Sequence, residues 1–120
     1  MAKLVFISTH GANDVERAAL PWALATASLA VGHEVHMYLQ GEAVELLKKG
    51  GAKGLKHGSF PPIEELMELF QEAEGYLYGC APCLESRGLH AGDLIDDVKI
   101  VGGVAMVEEC LTADKVFSYA

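Results

Sequence analysis

Short apolar runs alternate with segments of helical periodicity along this chain, and that alternation limits the possible folds more than any other feature. The predicted strands are 3–8, 33–39, 75–79, 98–102 and 115–120. The predicted helices are 13–32, 41–51, 61–74, 81–88 and 103–111. Strands that alternate with helices pair in parallel through right-handed crossovers. We therefore predict a single α/β domain over residues 1–120, with a five-stranded, mainly parallel sheet and helices on both faces.

The composition argues against several classes of function. A hydrophobic fraction of 51% is enough to fill a core, and the formal net charge of −8 is opposite to the charge that binds nucleic acid or an anionic membrane. The longest apolar stretch, 18–31, is too short and too interrupted to span a bilayer, and no signal peptide is predicted. An odd count of three cysteines does not suit a disulfide framework. We expect a cytoplasmic protein whose thiols are reactive or bind metal.

The first predicted helix contains a proline and one apolar face. Asn13 is predicted to cap this helix, with Glu16 completing a capping box. The predicted core face is Leu20, Leu24, Ala27 and Val31. Trp22 and Leu29 fall off that face and are predicted to meet a neighbouring subunit. Pro21 is expected to bend the helix, because a proline in a helix interior costs ~3 kcal/mol.

Two cysteines follow the third predicted strand in the stretch GCAPCLESRG, residues 79–88. Ligands and reactive groups of a parallel sheet gather at the carboxyl ends of its strands. Cys80 lies there at the start of a helix, where backbone N–H groups and the helix dipole stabilise a thiolate. Cys83 and Arg87 follow at spacings that place all three side chains on one side of the helix. This pattern predicts a reactive thiol with Arg87 as the group that stabilises its anion.

Three chemistries use cysteines at this spacing: a zinc site, a dithiol redox couple and a sulfur-carrying thiolate. A structural zinc site needs four ligands, and the chain has no second C-x-x-C pair to supply them. We therefore predict no metal and no cofactor. The CAPC sequence is similar to the CGPC of thioredoxins, but that fold needs a later proline and none follows Cys83. Redox cycling of Cys80 and Cys83 and sulfur transfer both stay open.

Polar residues also follow the first predicted strand, so they are expected at the same edge of the sheet as Cys80. His10 is a candidate for proton transfer with a thiol. Asn13 is a candidate for anion binding as well as for the helix cap. Cys110 is predicted to be a core residue. The remaining candidates are predicted to be solvated loop or turn residues, namely His57, His90, Asp93, Asp96 and Asp97.

Three segments of the chain are together typical of one known family. They are the opening VFISTHGANDVERAALPWALATASLAVGHEVHMYLQGEAV, the block C-x(6)-R-G from Cys80 to Gly88, and DLIDDVKIVGG. On these segments the chain resembles the DsrE/DsrF-like family of sulfur-relay proteins over essentially its whole length. The resemblance implies a parallel α/β sheet, a first helix that tolerates Pro21, and assembly as a homo-oligomer, that is a dimer, trimer or hexamer. It also implies sulfur carriage as a cysteine persulfide, as in the characterised branches.

The resemblance assigns the sulfur-carrying role to Cys80, seven residues before Arg87. Cys83 departs from the sulfur-relay branch, which often has no second cysteine at that position. A second thiol can attack a persulfide on Cys80, which releases sulfide and leaves a disulfide. The resemblance therefore implies a sulfur-transfer protein, a carrier or sulfurtransferase, whose partners are sulfur donor and acceptor proteins or small thiols. The alternative is a dithiol module that senses redox state and changes assembly without sulfur turnover.

Overall fold

A computed structural model describes all residues from 1 to 120. The strands are β1 (Lys3–Ser8), β2 (Glu34–Leu39), β3 (Tyr76–Cys80), β4 (Val98–Val101) and β5 (Lys115–Tyr119). The α-helices are α1 (Val15–Ala30), α2 (Ile63–Glu72), α3 (Ala81–Ser86) and α4 (Gly103–Thr112), and two 3-10 helices cover Gly41–Leu47 and Ala91–Asp93. The strands form one sheet in the order β4-β3-β2-β1-β5, with every neighbouring pair parallel. The predicted α/β fold is confirmed.

Parallel pairing aligns the carboxyl ends of the strands along one edge of the sheet. Ser8 at the end of β1 pairs with Leu39 at the end of β2, and Leu39 pairs with Gly79 of β3. Cys80 at the end of β3 pairs with Val101 at the end of β4. The residues that follow these four strands therefore meet at one edge, which we call the carboxyl edge.

The two faces of the sheet are covered to different extents. On the first face, α1, α2 and the Gly41–Leu47 helix enclose a core cluster of 22 buried residues that includes Phe6. On the second face, only Val5, Tyr38 and Tyr78 form a buried cluster, and α4 packs over it without burying any residue of its own. Phe6 and Val5 are on opposite faces because successive strand residues alternate. Helices therefore lie on both faces, as predicted, but the main core lies on the first face alone.

The predicted cap and core face of α1 are wrong. Asp14 caps this helix, because its carboxylate accepts a hydrogen bond from the Arg17 N–H at 3.2 Å, and Asn13 lies one residue before the cap. The buried residues of α1 are Ala18, Ala19, Pro21, Trp22 and Ala25. Leu24 and Val31, from the predicted core face, are instead 46% and 72% exposed.

Trp22 explains this rotation of the buried face. Its side chain is fully buried and meets Phe70 of α2 edge-on, with 5.3 Å between ring centroids. The predicted contact of Trp22 with a neighbouring subunit is therefore wrong. Alanines form most of the rest of the buried face. The prediction followed the positions of the leucines and did not count these alanines as core residues. The helix continues through Pro21 to Ala30. No helix of the structure is both long enough and apolar enough to cross a membrane.

The helix predicted over 41–51 is also wrong in its length and type, because only Gly41–Leu47 is helical and in the tighter 3-10 form. Lys48 and Lys49 lie outside the helix and pair with the segment that precedes β4. Lys48 forms an isolated β-bridge with Leu94, and the Lys49 N–H donates to the Asp93 carbonyl oxygen at 2.9 Å. These long-range hydrogen bonds replace the helical ones that a local pattern predicts.

Candidate functional site

Cys80 is both the last residue of β3 and the residue that precedes the first turn of α3. α3 has six residues, with Pro82 in its first turn, where a proline is tolerated. Gly79 lets this junction lie close to its neighbours. A β-carbon at Gly79 would lie 2.9 Å from the Leu47 side chain and 3.1 Å from the Leu84 side chain. A larger residue directly before Cys80 would therefore require the Leu47 and Leu84 side chains to shift.

The two cysteines are free thiols whose side chains interact directly. The Cys80 and Cys83 side chains are arranged so that Cys80 is favoured as the hydrogen-bond donor and Cys83 as the acceptor. The backbone N–H of Gly41 donates a second hydrogen bond to Cys83 Sγ, at 3.3 Å. Both cysteines are half-buried and pack against the first-face core. The structure thus brings together the two predicted residues and adds Gly41, which sequence reasoning did not predict.

The surroundings of the two thiols separate their pKa values. Burial raises the pKa of the Cys80 thiol, and its hydrogen bond to Cys83 raises it further. Burial also acts to raise the pKa of Cys83, but the hydrogen bonds from Cys80 and Gly41 and the positive charge of Arg87 outweigh it, so the pKa of Cys83 is lowered. Both shifts favour the negative charge of the pair at Cys83, whereas the sequence predicts a stabilised thiolate at Cys80.

Replacing Cys80 tests this assignment of the first negative charge. We expect Cys80→Ala to raise the pKa of Cys83, because the substitution removes a hydrogen-bond donor to its thiolate. Cys80→Ser retains a hydroxyl donor and is expected to leave the pKa of Cys83 closer to that of the wild type. The pKa is measured as the midpoint of the iodoacetamide alkylation rate of Cys83 against pH, followed by peptide mass spectrometry. Equal midpoints in the two variants would contradict the hydrogen bond.

Arg87 connects α3 to the 3-10 helix that begins at Gly41. Its Nη1 donates to the carbonyl oxygen of Cys83 at 3.1 Å. Its Nη2 lies 3.4 Å from the Glu42 carboxylate, and its Nε lies 3.7 Å from the Glu45 carboxylate. Ion pairs this exposed contribute about 0–1 kcal/mol each, so their effect is mainly on position. Arg87 thus acts on Cys83 through its charge and by holding the helix whose Gly41 N–H binds that sulfur.

His10 and Asn13 reach the carboxyl edge but bind each other instead of a cysteine. The Asn13 amide Nδ2 lies 3.1 Å from His10 Nδ1, and Asn13 Oδ1 accepts from the Gly11 N–H at 2.8 Å. With Nδ1 accepting, Nε2 is the protonated nitrogen of the neutral ring. This Nε2 is shielded from solvent and has no hydrogen-bond partner. Gly11 packs so closely on Glu42 that a β-carbon would lie 2.8 Å from its carbonyl oxygen, so this loop supports the 3-10 helix beside Cys83.

A small cavity of about 20 Å³, partly open to solvent, lies beside Cys80. Besides Cys80, its walls are formed by Tyr38, Leu39, Gln40, Val101, Gly102, Gly103 and Met106. Sequence reasoning predicted none of these seven residues as part of the site. The glycine pair at 102 and 103 is the sequence signal that could have identified them, because adjacent glycines after a strand place bare backbone at the carboxyl edge.

The remaining predicted candidates lie away from the cysteine pair. His57 and His90 are exposed, and the His90 N–H donates to the Asp93 carboxylate at 2.8 Å. Cys110 is half-buried against the second-face cluster, and its pKa is raised by burial and by the charge of Glu109. No group of three or more His, Cys, Asp or Glu side chains is placed to hold a metal ion.

Known proteins with similar sequences or structures share this domain over most of its length. The crystal structure of YchN from Escherichia coli matches with a TM-score of 0.80 and 26% sequence identity, covering 98% of this chain and 99% of that chain. Protein MK0008 of Methanopyrus kandleri is 30% identical over 104 residues, which is 87% of this chain and 83% of that protein. Protein MJ0760 of Methanocaldococcus jannaschii is 25% identical over 100 residues, but the match spans only 36% of its length.

The family model for DsrE/DsrF-like proteins matches residues 2–119. This match includes all five strands and both thiols of the carboxyl edge. The chain belongs to the DsrE/DsrF-like family.

Proposed function

We propose that this protein accepts and transfers sulfane sulfur, with Cys80 as the residue that holds it. The observation that supports this most is the contact between the protonated Cys80 thiol and the more acidic Cys83 at the carboxyl edge. A thiol next to a thiolate has a base beside it that can take its proton. Membership of a family whose characterised branches relay sulfur is consistent with this use of the pair.

Loading proceeds without net oxidation. The Cys83 thiolate takes the proton of Cys80, and the Cys80 thiolate attacks the terminal sulfur of a donor persulfide. A new S–S bond forms at Cys80, the donor S–S bond breaks, and the donor leaves as a thiolate. The protein then holds a Cys80 persulfide and a neutral Cys83 thiol.

Unloading has two routes that differ in the sulfur attacked. An acceptor thiolate that attacks the outer sulfur takes it away and restores the Cys80 thiolate. Alternatively, the Cys83 thiolate attacks the inner sulfur, so that a Cys80–Cys83 disulfide forms and hydrosulfide leaves. In this second route the sulfane sulfur is reduced and the two thiols are oxidised, and a small or protein dithiol must then reduce the disulfide. Sulfur donor and acceptor proteins or small thiols in the cytoplasm are the partners that this scheme needs.

Mass spectrometry of the intact protein tests the proposal. Reduced protein is incubated with a small-molecule persulfide donor, desalted and weighed. We expect a gain of one sulfur atom per chain, with an equal amount of donor thiol released. The gain should disappear when the loaded protein is treated with dithiothreitol. A wild-type protein that gains no mass would overturn the proposal.

The same contact between thiols also favours a second candidate, a redox-sensing module without sulfur turnover. It predicts a reversible Cys80–Cys83 disulfide that changes the assembly of the protein. Peptide mapping without reductant, combined with size-exclusion chromatography of the reduced and oxidised protein, separates the two candidates. A disulfide that forms without any change in assembly counts against the sensor.

Exposed apolar residues on α4 support the further proposal that the protein is a homo-oligomer. Val104, Val107 and Leu111 are 74%, 57% and 79% exposed and share one stripe of the helix. Light scattering after size exclusion is expected to give a mass well above the 12.8 kDa of one chain. Leu111→Glu is expected to lower that mass, because it buries a charge in the interface. Leu69→Glu, at a 47% exposed position of α2, serves as the matched control. A wild-type monomer at micromolar concentration would contradict this proposal.

A further inference from the structure

The cavity beside Cys80 is lined by residues of both faces of the sheet, with Leu39 from the first-face core and Tyr38 from the second-face cluster. Cys83 packs against the first-face core and binds the Gly41 N–H. The cavity lies between the ends of β2 and β4 and the first turn of α4, with Tyr38 and Met106 of the second face in its walls. Cys83 is not part of the cavity wall. Cys80 therefore contacts the Cys83 thiol and also lines an empty space that Cys83 does not line.

We propose that this cavity holds the outer sulfur of a Cys80 persulfide and restricts the cargo to a single sulfane sulfur. The inference rests on the proposed sulfur transfer and adds to it the identity of the cargo and the residues that select it. With the outer sulfur in the cavity, the inner sulfur of Cys80 is left in contact with Cys83, which does not line the cavity. That orientation favours the unloading route in which Cys83 attacks the inner sulfur and hydrosulfide leaves from the outer position.

The size of the cavity is suited to one sulfur atom added to Cys80. A cavity needs about 10–15 Å³, measured in the same way, to hold one water molecule. The space beside Cys80 is about 20 Å³, which is close to that lower limit. An added sulfur extends the side chain by one S–S bond of about 2.05 Å. A chain of two added sulfurs needs about twice this extension, which is more than a space of that volume encloses.

The walls also suit a sulfur anion. Gly102 precedes α4 without a side-chain cap, so the N–H groups of the first turn of this ten-residue helix have no side-chain partner there. Helix N-termini favour anions, and the glycines let the backbone come close. The Gln40 amide donates to Met106 Sδ at 3.0 Å, so that a side-chain N–H group belongs to the wall. The rest of the wall includes the Tyr38 ring and the Met106 thioether, and such groups pack well against polarizable sulfur.

Enlarging the cavity tests the limit on cargo length. Wild type, Met106→Ala and Val101→Ala are treated with inorganic polysulfide, alkylated and analysed by peptide mass spectrometry with fragmentation to locate sulfur on Cys80. Attack of the Cys80 thiolate on a polysulfide breaks one S–S bond and releases a shorter polysulfide, so the number of sulfurs retained reports the bond that was broken. We expect one added sulfur in the wild type and a several-fold larger share of two or more in both variants. The two variants enlarge the cavity from different elements, so a folding defect in α4 affects only one of them.

Two control variants separate cavity size from other effects. Met106→Leu keeps the approximate volume and is expected to retain the single sulfur of the wild type. Val107→Ala truncates a neighbouring residue of α4 that does not line the cavity, and is expected to behave as wild type. If both enlarged variants hold one sulfur as the wild type does, the cavity proposal is overturned while sulfur transfer stands. If no protein takes sulfur at Cys80, the proposed function itself fails.

Discussion

Replacing Cys80 with serine is expected to abolish sulfur uptake, whereas replacing Cys83 with serine is expected to preserve uptake and abolish the release of sulfide. A serine at position 80 has no thiolate to attack a donor persulfide. A serine at position 83 removes the base that takes the Cys80 proton, so loading slows, and it removes the thiol that forms the disulfide. The measurements are the mass gain after incubation with a persulfide donor and the sulfide that the desalted, loaded protein then releases.

Cys110→Ser is the matched control, because Cys110 is a half-buried thiol that packs against the second face, away from the cysteine pair. It is expected to load and release sulfur as the wild type does. Sulfur uptake that survives in Cys80→Ser but is lost in Cys83→Ser would show that the two roles are exchanged. That outcome would agree with the lower pKa of Cys83 and contradict our assignment of the sulfur-holding role to Cys80.

Replacing Trp22 with alanine is expected to lower the free energy of unfolding by about 3–5 kcal/mol, the usual cost of removing a fully buried large aromatic side chain. Leu24→Ala on the same helix is expected to change it by no more than about 0.5 kcal/mol, because Leu24 is 46% exposed. The free energies come from urea unfolding followed by circular dichroism, since Trp22 is the only tryptophan and its fluorescence is lost in the variant. All proteins are compared at one chain concentration.

The leucine pattern of α1 predicts that Leu24→Ala destabilises the protein more than Trp22→Ala. Comparing the two variants therefore decides between the predicted core face and the one in the structure. A larger loss for Leu24→Ala than for Trp22→Ala would restore the predicted core face. Trp22→Phe provides a check if the alanine variant does not fold. Because phenylalanine retains a ring against Phe70, its loss of stability is expected to be smaller than that of the alanine variant.

The alternation of apolar runs and helical segments was sufficient to predict the sheet. Each strand that the sequence predicts exists, because its apolar run is bounded by glycine or polar residues, and parallel pairing follows from the helices between the strands. The orientation of α1 was not predictable in this way. The prediction chose the face of α1 that carries the most leucines. The face that is actually buried carries small alanines and one tryptophan, which packs against Phe70 of α2.

The site was predicted only where its residues are close in sequence. Cys80, Cys83 and Arg87 lie within one short segment at the end of β3, so helix geometry relates them directly. Gly41 and Gln40 reach the same place because β2 is the neighbour of β3, and Gly102 because β4 is the other neighbour. The strand order that creates these contacts is not contained in any local pattern. The difference in pKa between the two thiols depends in part on the Gly41 hydrogen bond, so it could not be predicted from the sequence either.

The central claim, that Cys80 holds sulfane sulfur, is tested most directly by locating the sulfur within the wild-type protein. Reduced protein is loaded with a persulfide donor, alkylated at once and cleaved, and the peptide that contains Cys80 and Cys83 is fragmented in the mass spectrometer. We expect one additional sulfur atom on Cys80, absent from Cys83 and Cys110, and removed by dithiothreitol. A Cys80 side chain that carries no additional sulfur under conditions in which the donor is consumed would contradict it.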